Sequence, residues 1–74
     1  MENIGNVIMA SESNLKAIES DIKKTGKPSD ETLVQANEIL EQLNTQVDGI
    51  SDNFMSSAIN EIIDLYKKIL AEYK

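Results

Sequence analysis

The chain predicts an all-α fold: a small up-down-up three-helix bundle forming one domain over residues 1–74. Apolar residues recur at steps of three and four along three segments of nearly equal length, placing helices at about 3–24, 29–49 and 52–73. Two sets of stop-and-start signals, at Thr25–Ser29 and Asp48–Asp52, separate them. No strand-like alternation, internal repeat or low-complexity stretch competes with this reading, which expects helix over more than about 70% of the chain.

In the first segment the apolar line is Ile4, Ile8, Leu15, Ile18 and Ile22, with Ser11 in the one missing place. Val7 and Met9 widen it at the start. Gly26 can take the left-handed conformation that closes a helix, and Pro28 cannot continue one. Ser29 is placed to cap the second helix, with Asp30 and Glu31 suited to the positive end of its dipole. The second line runs Leu33, Ala36, Leu40, Leu43, Val47 and Ile50, opposite a polar face of Glu38, Glu41, Gln42, Thr45 and Asp48. Gly49 ends or bends this helix, and Ser51 or Asp52 can cap a third.

The third segment carries Phe54, Met55, Ala58, Ile59, Ile62, Ile63, Leu65, Tyr66, Ile69, Leu70 and Tyr73. So wide an apolar band should touch two neighbours, or one neighbour and a partner. An alternative architecture tolerates Gly49 inside one long helix, giving a helical hairpin with an overhanging C-terminal arm. Gly within a helix costs only ~1 kcal/mol relative to Ala, which packing can offset.

Charge excludes several functions. The net charge is -6, against a generic nucleic-acid binder, which needs a basic stripe. No apolar run approaches the ~18 residues of a membrane span, so no membrane insertion is expected. The start Met1-Glu2-Asn3 does not resemble a secretory signal, which points to the cytoplasm, or to export without a classical signal peptide. Absent Arg with frequent Lys, Asn and Ile hints at an AT-rich bacterial or phage genome.

Chemistry is sparse. With no Cys and no His, the chain lacks thiolates, imidazole ligands and the commonest general base. Glu38 and Glu41 lie one turn apart, but no second acidic pair is placed to converge on a metal. Asp48-Gly49-Ile50-Ser51-Asp52-Asn53 lacks the spacing of a calcium loop and reads as a turn with a cap. Ser56 and Ser57 have no base to activate them. The expectation is no enzyme: no catalytic residue, no cofactor and no metal.

The leading functional expectation is a small acidic protein–protein interaction module, such as an adaptor, chaperone-like protein or inhibitor. Its expected interface is Ile59, Ile63, Tyr66, Leu70 and Tyr73 on the third helix, with completion of the chain's own core as the alternative role for these residues. The basic residues fall in two clusters. In an up-down-up bundle Lys23, Lys24, Lys27, Lys67 and Lys68 gather at one pole with Lys74, close to Asp30 and Glu31 at the start of the second helix, while Glu2, Asp48 and Asp52 gather at the other. Such a dipole suits docking on an acidic partner or self-association.

A second expectation is a self-assembling structural subunit. Lys27-Pro28-Ser29-Asp30, followed by Leu33, Ala36 and Leu40, resembles the turn and second helix of type III secretion needle subunits. That resemblance implies a helical hairpin that polymerises into a hollow filament, with Pro28–Asp30 as its turn and Ile62–Tyr73 as assembly contacts. The sequence departs from that pattern at Glu31, where a second Pro is common, and at Gln46-Val47-Asp48-Gly49. A third expectation is an acidic mimic of nucleic acid.

Overall fold

A computed structural model of the chain describes residues 4–73. The helix start expected at residue 3 and the charges of Glu2 and Lys74 lie outside the described residues. Three helices form: α1 (Ile4–Thr25), α2 (Asp30–Val47) and α3 (Asn53–Glu72). They make up 86% of the described residues, which include no strand. Both α1 and α3 pack against α2, giving an elongated body of 40 × 21 × 16 Å. None of these helices is long and apolar enough to cross a membrane.

The first turn is built from side chains that occupy helix-end backbone groups. Gly26, at φ 86°, donates its N–H to the Ile22 carbonyl at 2.8 Å and closes α1. Ser29 Oγ accepts the Thr32 N–H at 3.2 Å and opens α2, with Asp30 and Glu31 in its first turn. Pro28 between them is buried. Asp21, one turn before the end of α1, ties the two sides together. Its Oδ2 accepts the Ser29 N–H at 3.1 Å and the Thr32 hydroxyl at 2.9 Å.

The second turn decides between the two architectures. α2 stops at Val47, so the long C-terminal arm does not form. Gly49 does not do this by adopting a left-handed conformation, since Gly26 is the described glycine with positive φ. Instead the N–H groups of Gly49 and Ile50 bond back three residues, to Gln46 and Val47, both at 3.1 Å, which tightens the end of the helix. Asp52 then starts α3, its Oδ1 accepting the Phe54 N–H at 2.9 Å.

The core comprises Val7 and Ile18 from α1, Ala36 and Leu43 from α2, and Ile59, Ile63 and Tyr66 from α3. On α1 this departs from the expected line. Ile4, Ile8, Leu15 and Ile22 are half-buried, while Ser11 and Asn14 are buried. The physical reason is that α1 has two neighbours. Its innermost line, Val7-Ser11-Asn14-Ile18, falls between them, and Leu15 and Ile22 are turned toward α3.

Asp21 supplies a test of the first turn. Its carboxyl is held below the ordinary value of 3.8, first by the Ser29 N–H and then by the Thr32 hydroxyl. A carboxylate with a lowered folded-state pKa adds stability above the unfolded value, and that stability is lost as pH falls through the folded value. Melting temperatures between pH 5 and pH 2 should therefore fall less steeply in Asp21→Asn than in the wild type. Parallel curves would show that the carboxylate does not stabilise the turn.

Candidate docking face

The apolar band of α3 splits into two parts. Ile59, Ile63 and Tyr66 are taken up by the chain's own core, at 0%, 3% and 0% exposure, so they present no surface to a second protein in this fold. Leu70 is half-buried against the same core, and Tyr73 is half-buried at the end of α3. Ile62 and Ile69 are also half-buried against the core, while Phe54, Ala58 and Leu65 face outward. Leu65 is 45% exposed and Phe54 82%.

Between α1 and α3 runs an open groove of about 440 Å³. Its walls are Leu15, Ile18 and Ile22 from α1 and Leu65, Ile69 and Tyr73 from α3. Glu19 and Lys23 rim one side, paired at 3.2 Å, and Glu72 rims the other. That ion pair is well exposed and contributes little to stability.

A chain of polar groups runs through the interior. Tyr66 Oη sits 3.1 Å from the Ser11 carbonyl oxygen and 3.0 Å from Asn14 Oδ1, its one proton shared between two acceptors. Asn14 Nδ2 donates to the Thr32 carbonyl at 3.3 Å, and the Thr32 hydroxyl donates to Asp21. Ser29 Oγ lies 2.9 Å from Thr32 Oγ1. Since the Thr32 proton goes to Asp21, the Ser29 hydroxyl is the donor of that pair. Burial pushes the Tyr66 phenol up to about 12, so it stays protonated and serves as a donor. All three helices are thus joined by buried polar contacts. No buried side-chain polar atom among the described residues lacks a partner.

Of the cations expected at one pole, Lys23 lines the groove, opposite Ile69 and Glu72, so the C-terminal ends of α1 and α3 lie together. Lys24, Lys27, Lys67 and Lys68 are all exposed. Lys23 and Lys24 occupy the last turn of α1, where they complement its dipole. Lys67 and Lys68 do not do the same for α3, whose last turn holds no basic residue among those described. Asp48 and Asp52 are exposed at the other end.

No group of His, Cys, Asp and Glu among the described residues could hold a metal ion. Glu38 and Glu41 line a shallow depression with Gln42, Thr45 and Gln46 of α2, and Glu38 also faces Ala10, Ser13, Asn14 and Ala17 of α1, none of them a metal ligand through its side-chain carboxylate or imidazole. No family model matches the chain, and no curated protein or solved structure does either.

Proposed function

We propose that the chain is a non-catalytic protein-interaction module, and that its docking face is the groove between α1 and α3. The observation that carries this reading is the surplus of the α3 band. Ile59, Ile63 and Tyr66 complete the core, yet Leu65, Ile69 and Tyr73 still line an open apolar groove with Leu15 and Ile22. A groove of this form, between two parallel helices, accommodates an amphipathic helix through apolar anchors one turn apart. Phe54 extends the same face beyond the groove. The net charge of -6 disfavours a nucleic acid as the occupant.

A photo-crosslinking residue at position 65 tests the face in the cells that make the protein. The expected result is a covalent adduct with a protein at position 65 and none from position 38 on the polar side of α2. Equal labelling at both positions, or none at either, would remove the groove as a docking face.

A further inference from the structure

We propose that the second turn is a hinge that straightens to join α2 and α3 into one helix, so that two copies of the chain exchange α3 and form a dimer. This goes beyond the docking face and asks nothing of the groove. It starts from a contrast between the two turns. The first is locked: Gly26 is left-handed at φ 86°, Pro28 cannot continue a helix, and Asp21 bonds across to Ser29 and Thr32. The second turn lacks these devices. Gly49 is not left-handed, and no Pro follows it. Asp48 is still in the right-handed helical region, at φ -65° and ψ -23°. The Gly49 and Ile50 N–H groups bond back three residues, so the chain keeps turning in the helical sense as far as Ile50. The polar contact that holds the break is local: Asp52 Oδ1 accepts the Phe54 and Met55 N–H groups.

The apolar pattern fits the straight form. Val47, Ile50, Phe54, Ala58 and Ile62 follow at steps of three and four, a line that runs through the turn. In the closed chain this line is cut, and Phe54 is left 82% exposed beside the turn. A lone chain cannot keep the straight form, because lifting α3 away bares Ala36 and Leu43 and takes Ile59, Ile63 and Tyr66 out of the core. Two straightened copies can. The α3 of each docks on α1 and α2 of the other and remakes the contacts of the closed core, the bonds from Tyr66 to Ser11 and Asn14 included. The two long helices then pass each other at residues 47–54, where Ile50 and Phe54 of one copy meet those of the other. Asp48 and Asp52 would lie about 100° to 140° around the straight helix from Val47, away from that crossing.

Sedimentation equilibrium of the purified chain from micromolar to millimolar concentration measures the dimer, and spin-label distances within one chain reveal its form. The chain has no Cys of its own, so labels go on Glu38→Cys and Glu61→Cys, both at exposed positions. Diluted with unlabelled chain, the labelled copy should read about 35 Å in the dimer, the length of 23 residues of continuous helix. In the monomer the labels sit on packed neighbours, about 10–20 Å apart. Asn53→Pro isolates the hinge. Residue 53 opens α3 in the closed chain, where Pro is well accepted, and Asp52 before it is already extended at φ -76° and ψ 116°. In the straight helix the same Pro falls in the interior. The variant should stay helical by circular dichroism and dimerise about a thousandfold more weakly or worse. Asp52→Ala removes a cap that only the closed form uses, twice per pair, and should strengthen the dimer by about tenfold. A monomer at every concentration, a dimer whose labels keep the closed distance, a folded Asn53→Pro chain that dimerises like the wild type, or an Asp52→Ala dimer no tighter than the wild type would each overturn the exchange. The label distance decides on its own if Asn53→Pro fails to fold. None of these outcomes depends on crosslinking from position 65, which tests the groove separately.

Discussion

Ile63→Ser should unfold the chain at room temperature. Ile63 is 3% exposed and packs in the centre of the core with Ile59, Leu43 and Tyr66. Replacing it with a small polar residue removes its buried apolar atoms, leaves a cavity and buries a hydroxyl, at a combined cost of ~3–5 kcal/mol. A core of this size supplies only ~3–5 kcal/mol of net stability, and the chain has no disulfide to add to it. Far-UV circular dichroism at low micromolar concentration should show the loss of most helical signal. Ile63→Val, which costs ~0.5–1.5 kcal/mol, should remain folded with a lower melting temperature. A fully helical Ile63→Ser chain that had lost only an association would place this residue at an interface.

The second large effect concerns Tyr66. Tyr66→Phe keeps the ring but removes the donor that serves the Ser11 carbonyl and Asn14 Oδ1. Leaving buried acceptors unpaired costs ~1–3 kcal/mol. Each kcal/mol lowers the melting temperature of a domain this small by about 4–8 °C. The variant should also respond differently to alkali. A raised folded-state pKa means that the neutral phenol stabilises the fold below its unfolded value near 10, and that this contribution disappears as pH rises to about 12. Wild type should lose stability across that window more steeply than Tyr66→Phe. Lysines titrate in the same range, so variant and wild type are compared at each pH. Equal losses in urea titrations at pH 9, 10 and 11 would remove the phenol from the stability of the core.

Much of this architecture can be read from local chemistry. Ser29 and Asp52 cap the helices they precede, because a short polar side chain before an apolar periodic run has a local role that needs no knowledge of the fold. Ala36, Leu43, Ile59 and Ile63 are core because their lines face a single axis. Asn14 could not be found this way. Its burial is tolerable because Tyr66, 52 residues later, and the Thr32 carbonyl provide partners, and neither contact has a local signature. Phe54 is a different case. It stands five residues before Ile59, about 140° around the helix from the core line, so its exposure follows from helix geometry alone. The breadth of the α3 band hid this, since an apolar band covering about half of a helix does not say which part of it points inward. The expected interface included Ile59, Ile63 and Tyr66 for the same reason, and Leu65 was left out of it.

The polar contacts also order events in time. The Asp21–Ser29–Thr32 contacts span eight and eleven residues and can form as soon as the first turn closes. The Tyr66–Ser11 contact spans 55 residues and has to wait for both turns. Loop-closure entropy favours contacts across a short connection, so the α1–α2 turn closes before α1 and α3 meet. Substitutions in the first turn should then slow folding. Loss of the Tyr66 contact should mainly quicken unfolding, so that its influence falls on the lifetime of the folded chain more than on the rate at which it forms.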